Sequence, residues 1–245
     1  MKIQNNNISF FKKITGGTIA ELAGMNKFKP RGDAVLAMLG YVKEPFDKFY
    51  TDRGALAERL ALRSLLKRGL PCVVYDPERI DYDNFPNNPY FGGMIDIEIP
   101  AKKTLYEIKS KNVKDYDKIV QYGDSCQEEQ AMHYGYLRGY NEVHIMWIFF
   151  DDETETLIRN GEPVTSYKNL KMFEKPLTVD YDKQKKIHLD SLLYYIHCLA
   201  LQQVPLEDVS EKYQKLLKPK LKKQNDFQNS NPVEQIQINL FGEVV

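Results

Sequence analysis

Three acidic residues and one lysine, spread over about fifty positions, constrain this chain more than any other part of its sequence. Glu58 lies in a helix-like run, Asp96 follows Gly92-Gly93 among isoleucines, and Glu107 precedes Lys109 by two positions. Residues two apart on a strand point to the same face of a sheet. If the apolar runs around Asp96 and Glu107 pair as a hairpin, Asp96, Glu107 and Lys109 therefore converge.

Glu58 belongs to a helix that is predicted over residues 54–68 and closed by Gly69. On a helical wheel it shares a face with the apolar residues Ala61 and Leu65. A lone charge on an apolar face is costly to bury, so Glu58 needs a partner. The sequence leaves two partners open, which are a metal ion with its bound water and a neighbouring lysine or arginine.

Carboxylates that converge on one point suit a hard cation. Magnesium takes about six oxygen ligands and usually keeps several waters, so Glu58, Asp96 and Glu107 form a candidate metal site. A lysine such as Lys109 can orient an attacking water or neutralise charge that develops on a phosphate. Glu98 lies on the predicted face of Asp96, and the sequence leaves open whether it is a further ligand or is solvated.

A helix predicted over residues 125–138 follows the two strands. Gln127, Gln130, Ala131 and Tyr134 fall on one face of this helix, since residues three and four apart are neighbours. Either this face meets the acidic cluster or it is a polar helix surface.

The remaining pattern indicates an α/β protein. Helices are predicted over residues 15–24, 31–39, 54–68, 125–138 and 185–203, and strands over 71–75, 93–99, 104–110, 142–150 and 170–179. Residues 76–89 are rich in Asp, Asn and Pro and are predicted to form a loop.

Composition excludes several other classes of protein. The 245 residues are 42% hydrophobic, which is typical of a globular domain, and they contain no apolar run long enough for a membrane span. No secretory signal is evident at the N-terminus, so we expect a cytoplasmic protein without a membrane partner. The three cysteines form no CxxC pair, which argues against a zinc ribbon. The formal net charge of zero does not favour broad nonspecific binding to nucleic acid.

Together, Glu58, Asp96, Glu107-Ile108-Lys109 and the helix with Gln130-x-x-x-Tyr134 resemble the PD-(D/E)xK nuclease superfamily. They resemble more closely its YqaJ-type, lambda-exonuclease-like phage recombination nucleases. In such proteins a first helix opens near a Thr or Ser, which is Thr15 here. The leading motif departs from the superfamily, because Ile95-Asp96 stands where Pro-Asp is common. The resemblance covers roughly residues 10–150.

The resemblance implies a restriction-endonuclease-like fold, with a central mixed β-sheet flanked by helices. The sequence pattern itself adds a C-terminal helix and a flexible tail. It implies that Glu58, Asp96 and Glu107 hold Mg²⁺ or Mn²⁺, as two ions, and that Lys109 and Gln130 complete the catalytic set. Thr15, Gln127 and Tyr134 are the implied DNA contacts. The implied reaction is 5′-to-3′ digestion of one strand of duplex DNA from an end. The implied partners are a single-strand annealing protein and two further copies of the chain in a homotrimer.

Two other functions stay open from the sequence. One is a structure-selective or sequence-selective DNA endonuclease on the same core. The other is a DNA-binding or clamp-binding protein that keeps the fold without catalysis, although the intact Glu107-Ile108-Lys109 argues against it.

The C-terminal segment differs in composition from the rest, so we predict a nuclease domain over residues 1–217 and a flexible tail over 218–245. The tail contains Gln237-Ile238-Asn239-Leu240-Phe241. This pentapeptide resembles the peptide that binds the bacterial sliding clamp, in which Gln237, Ile238, Leu240 and Phe241 would contact the partner. The alternative is that the segment packs on its own domain as a terminal strand.

Overall fold

The structure is a computed structural model that describes residues 11–42, 47–167, 169–201 and 204–215. The helices are α1 (Gly16–Leu22), α2 (Arg31–Met38), α3 (Lys48–Lys67), α4 (Tyr116–Tyr122), α5 (Ser125–Arg138), α6 (Asp152–Asn160) and α7 (Tyr181–Leu201). The strands are β1 (Ile14–Thr15), β2 (Phe91–Gly92), β3 (Ile97–Ile99), β4 (Thr104–Asn112), β5 (Glu142–Phe150) and β6 (Lys171–Thr178). No helix in these ranges is long and apolar enough to cross a membrane.

The chain divides into two compact units. Among the described residues, the sheet unit consists of 15–17, 47–167 and 169–184, and the helical unit consists of 11–14, 18–42, 185–201 and 204–215. The predicted boundary between residues 217 and 218 lies outside the described ranges and stays a prediction.

Four strands of the sheet unit form one mixed sheet in the order β3-β4-β5-β6. Strand β3 is antiparallel to β4, β4 is parallel to β5, and β6 is antiparallel to β5. The strands predicted over 104–110, 142–150 and 170–179 are all present, with ends shifted by at most two residues. The prediction of an α/β protein with a mixed central sheet is confirmed.

Helices cover both faces of this sheet. On one face, α3 buries Ala61 against Met146 and Ile148 of β5. On the other face, α4 buries Ile119 against Trp147. Because β5 is covered on both sides, its sequence is a continuous apolar run instead of an alternating pattern.

In the helical unit, α2 packs by polar contacts at its first turn. The guanidinium of Arg31 lies 3.1 Å from Asp190 Oδ2 and 4.0 Å from the centre of the Tyr194 ring. The Asp33 carboxylate accepts a hydrogen bond of 2.8 Å from the backbone N–H of Ser210. These contacts fix α2 against the middle of α7 and against the segment around Ser210.

The strand predicted over residues 93–99 is wrong at its start, since β3 begins only at Ile97. Gly93 has a φ of 120°, which turns the chain out of the strand. Side chains then replace the backbone ladder. Asn84 Oδ1 accepts from Ile95 N at 2.7 Å, and Asp96 Oδ2 accepts from Ile108 N at 2.7 Å. Asp96 therefore immediately precedes β3 instead of lying within a strand.

Other predicted boundaries are also wrong. The strand predicted over 71–75 is a single bridge between Val73 and Glu98. Helix α3 begins at Lys48, because the Asp47 side chain accepts a hydrogen bond from Phe49 N and caps the helix. Helix α7 begins four residues before the predicted start at position 185, and α4 and α6 were not predicted.

Glu98 is not solvated, and both of its carboxylate oxygens accept hydrogen bonds. Its side chain is buried, with 3% of its surface exposed. The hydroxyls of Tyr75 and Tyr140 both donate hydrogen bonds to it, and Arg138 donates a third at 3.2 Å. This network ties β3, and so the segment that carries Asp96, to the end of α5.

We expect Glu98→Gln to destabilise the fold by about 3 kcal/mol or more, because removal of one partner leaves the Arg138 charge without its counter-ion in a partly buried site. Urea unfolding measures this change. The matched control is Glu142→Gln, since the Glu142 side chain is 62% exposed. Equal unfolding midpoints for the two variants would show that the network contributes little.

Candidate active site

The structure brings five of the residues singled out above to one edge of the sheet. Glu107 and Lys109 lie on β4, with Lys109 Nζ 2.6 Å from Glu107 Oε1. Asp96 lies just before β3, and Glu58 reaches the cluster from α3, where it interacts electrostatically with Asp96 and Lys109. Gln130 of α5 accepts a hydrogen bond of 3.0 Å from Lys109 Nζ.

The cluster forms where β3 and β4 separate. Strand β3 pairs with β4 only from Ile97 opposite Tyr106 to Ile99 opposite Thr104. One residue beyond that pairing, the Asp96 carboxylate takes the place of a backbone acceptor for Ile108 N. Among the described residues, no strand pairs with β4 at Glu107 and Lys109 on the β3 side, whereas β5 pairs with it on the other side. This stretch of β4 is therefore open to a ligand on one side.

Helix α5 supports the cluster through the face that the sequence predicts. Gln127 Oε1 accepts a hydrogen bond of 2.8 Å from the indole N–H of Trp147. Further along the same face, Gln130 contacts Lys109, and Tyr134 is buried with 3% of its surface exposed. Gln127 and Tyr134 therefore both hold α5 against its surroundings, whatever contact they also make with a ligand.

The backbone at Gly16 forms the other side of this support. The Tyr134 hydroxyl is hydrogen bonded to the Gln130 side chain and to the Gly16 backbone. A Cβ at Gly16 would lie 2.6 Å from Gln130 Cγ and 2.7 Å from Tyr134 Cζ. Position 16 therefore requires glycine. Thr15, the predicted DNA contact, directly precedes it and is partly buried.

Burial and mutual repulsion disfavour the charged forms of the three acids. Burial, the Asp96 carboxylate and the Glu58 carboxylate raise the pKa of Glu107 to about 8, although Lys109 opposes the shift. Partial burial and Asp96 raise the pKa of Glu58 to about 7, even though the outer side of Glu58 opens to solvent. Burial also raises the pKa of Asp96, against the opposing effects of Lys109 and Ile108 N. Such a cluster favours a cation.

Lys109 stays protonated in this environment. Burial alone would lower its pKa, but the carboxylates of Glu107, Asp96 and Glu58 outweigh that effect and raise the pKa above its usual value. Lys109 is therefore suited to stabilise negative charge and is poorly suited to act as a general base.

The oxygen atoms of the cluster fit a hard divalent cation. Glu107 Oε2 is buried and has no hydrogen-bond partner, so one strong acceptor is free beside Asp96. Carboxylate oxygens are the ligands that Mg²⁺ and Mn²⁺ prefer. In the part of the chain that the structure describes, no group of three or more Asp, Glu, His or Cys side chains is already arranged to hold a metal. Instead, Lys109 Nζ donates a hydrogen bond to the other oxygen of Glu107, Oε1.

Sequence reasoning missed two residues that shape the site. Asn84 positions the segment before Asp96 by accepting from Ile95 N and by donating its own backbone N–H to Gly93 O at 2.9 Å. Its only sequence signal is its place in a polar loop. Gly16 has no sequence signal beyond its place directly after Thr15. The peptide residues Gln237, Ile238, Leu240 and Phe241 lie outside the described ranges.

We expect Gly16→Ala to destabilise the protein by about 1–3 kcal/mol, since the new methyl group overpacks Gln130 and Tyr134. Gly17→Ala is the matched control, because the nearest heavy atom to its added Cβ is Thr15 Oγ1 at 3.8 Å. Thermal unfolding of the two variants compares them directly. A Gly16→Ala variant as stable as Gly17→Ala would contradict the close packing.

In the presence of chelator, the free energy of unfolding of the wild type should fall as pH rises from 5 to 8. We expect this fall to be smaller in Glu107→Gln. The pKa of Glu107 is about 8 in the folded protein, so over this range the unfolded chain releases a proton that the folded chain retains. Wild-type unfolding free energy therefore falls as pH rises towards 8, and the glutamine variant lacks that contribution. Urea unfolding at several pH values measures the free energy of unfolding of both proteins. Parallel pH profiles for the wild type and Glu107→Gln would contradict this contribution of Glu107.

No protein-family model matches the chain. It is 29% identical over 89 residues to a Mycoplasma pneumoniae protein described as an uncharacterized MG373 homologue, and 28% identical over 93 residues to uncharacterized protein MG373 of Mycoplasma genitalium. These matches cover 36% and 38% of this chain and 32% and 33% of the two proteins. The chain thus spans about a third of the length of the curated relatives it matches.

Solved structures of exonucleases share the fold. A phage-related exonuclease from Haemophilus somnus is 16% identical with a TM-score of 0.53, and the match covers 78% of this chain and 96% of that one. The alkaline exonuclease of Laribacter hongkongensis is 13% identical with a TM-score of 0.54, covering 89% and 96%. The structure of that exonuclease in complex with dAMP is 15% identical with a TM-score of 0.56, and the match covers 88% of this chain and 96% of that one. The chain therefore has the fold that its resemblance to YqaJ-type nucleases implies.

Proposed function

We propose that this protein is a magnesium-dependent DNA exonuclease that digests one strand of linear duplex DNA in the 5′-to-3′ direction. The observation that carries the proposal is the convergence of Glu58, Asp96, Glu107 and Lys109 at an open sheet edge. The fold shared with phage-related and alkaline exonucleases supports the same reading.

The three acids would hold the metal, and Glu107 is central among them. Glu107 Oε2 is buried without a partner and can accept a cation without breaking a hydrogen bond. When bound, magnesium supplies a Lewis acid and lowers the pKa of coordinated water. Asp96 is fixed by Ile108 N and offers its other oxygen, and Glu58 approaches from α3 on the solvent side.

Lys109 would stabilise the negative charge that develops on the phosphate in the transition state. Its ammonium is held by Glu107 on one side and by Gln130 Oε1 on the other. Gln130 is in turn held by Tyr134 and the close backbone at Gly16. The lysine is therefore preorganised, so little reorganisation accompanies the reaction.

The partners and the assembly belong to this proposal as well. Digestion of one strand leaves a 3′ overhang, which suits a single-strand annealing protein. We further propose a homotrimer, and a sliding-clamp contact through Gln237, Ile238, Leu240 and Phe241. The second candidate function is an endonuclease on the same core, because the open edge of β4 does not by itself require a DNA end.

The test is digestion of linear and closed circular duplex DNA with magnesium and with chelator. We expect magnesium-dependent loss of the linear form alone. Glu107→Ala and Lys109→Ala should each lower the rate about a hundredfold or more, which is the scale for removing a group that stabilises transition-state charge. Glu142→Ala is the matched control, since that acid is exposed on β5.

Other outcomes separate the alternatives. Cutting of the circular form would indicate an endonuclease. Full activity in both Asp96→Ala and Lys109→Ala would refute the proposed site. Duplexes labelled at the 5′ or the 3′ end then give the polarity, because a 5′-to-3′ enzyme releases the 5′ label first.

A further inference from the structure

A cavity in the sheet unit lies along the side of α3 that faces away from Glu58. Its volume is about 340 Å³, close to the lower end of small-molecule pockets. Leu56 and Leu60 of α3 and Ile158 of α6 give it an apolar floor, and the wall opposite α3 includes Tyr167. On a helical wheel, Arg59 and Arg63 are one turn apart and border this cavity.

The two arginines are available for a ligand. Neither has an ion pair or a hydrogen bond in the part of the chain that the structure describes. Arg53 on the same helix is different, because it donates to Ser110 and pairs with Glu155 at 2.6 Å. Arg159 likewise lies over the Phe49 ring at 4.0 Å.

The acids that line the cavity do not neutralise this pair. Asp52 is paired with Lys48 at 2.5 Å and lies about two turns before Arg59 on α3. Glu162 accepts a hydrogen bond of 2.9 Å from Asn160 on the opposite wall. The lining thus carries three cationic and two anionic side chains, and the excess positive charge lies on the α3 side.

We propose that this cavity binds a single-stranded segment of the DNA, with successive phosphates on Arg59 and Arg63 and a base against Tyr167. Guanidinium groups one helical turn apart match the spacing of neighbouring phosphates along a strand, and each binds phosphate in a bidentate manner. An aromatic wall over an apolar floor accepts any base, because every base has a π face. This inference rests on the proposed function for the identity of its ligand.

The cavity lies on the flank of α3 that is opposite to the flank with Glu58. A strand in the cavity is therefore held by the same rigid element that contributes to the cluster at the sheet edge, without entering that cluster. The site thus holds DNA beyond the scissile bond, and it contributes affinity instead of chemistry.

The test measures binding of a fluorescent single-stranded oligonucleotide to the full chain in chelator, at several salt concentrations. In Arg59→Gln/Arg63→Gln, we expect affinity to fall on the order of tenfold and the slope of log K against log salt to shrink by about 1.4, since each phosphate contact on a single strand contributes about 0.7. Arg59→Lys/Arg63→Lys should keep the slope, because the charges remain.

The matched control is Lys185→Gln/Lys186→Gln, which removes two exposed charges from α7. We expect it to leave the slope unchanged. Tyr167→Leu should weaken binding by about fivefold or more without changing the slope, since stacking carries no charge. Thermal unfolding verifies that each variant is folded.

An unchanged slope in the folded Arg59→Gln/Arg63→Gln variant would overturn the inference, and so would an equal loss in the control. Cleavage of linear DNA by the wild type is scored separately. Cleavage with an unchanged slope leaves the proposed nuclease standing without this site. A reduced slope without cleavage supports the site and refutes the nuclease.

Discussion

The structure around the candidate site depends on one costly arrangement, the burial of Glu107 beside Lys109. A carboxylate with 2% of its side chain exposed is unfavourable unless an opposite charge lies next to it, and Lys109 Nζ lies at 2.6 Å. Even so, Glu107 Oε2 has no partner, so the pair does not satisfy the site fully. A fold optimised only for stability would place an apolar residue here. The presence of this buried ionisable pair therefore indicates that this edge of the sheet serves a ligand.

Burying such a pair requires a rigid support, and α5 provides it. Gly135 brings the helix close to the sheet, because a Cβ there would lie 2.4 Å from Val143 Cγ1. Gly16 and Gly93 make room for Tyr134 in the same way. Each of these glycines removes a side chain where two backbones or a backbone and a ring must meet. The result is that Gln130 reaches Lys109 with its own position fixed by packing, which is what a preorganised electrostatic site needs.

Much of this could be predicted from the sequence, because periodicity reports which residues share a face. The strand spacing that joins Glu107 to Lys109 and the helical spacing that joins Gln130 to Tyr134 both give contacts in the structure. The predictions of strand bounds are wrong where side chains take the place of backbone hydrogen-bond partners. Alternation around Asp96 favoured a longer strand, but Asn84 is distant in sequence and only the folded chain shows that its amide holds this segment. The same alternation placed Glu98 on the face of Asp96, whereas in the structure Glu98 is hydrogen bonded to Tyr75, Arg138 and Tyr140.

Helix α3 joins the two surfaces that the proposals concern. One flank carries Glu58 and the apolar residues that pack on the sheet, and the other carries Arg59 and Arg63 beside the cavity. Because a helix of this length packed along one side is stiff, the separation between the two flanks is set by its diameter of about 10–12 Å. Arg59 also lowers the pKa of its neighbour Glu58, although burial and Asp96 dominate that group. The helix thus couples a surface that can bind a strand to an acid that can bind a metal, with no hinge between them.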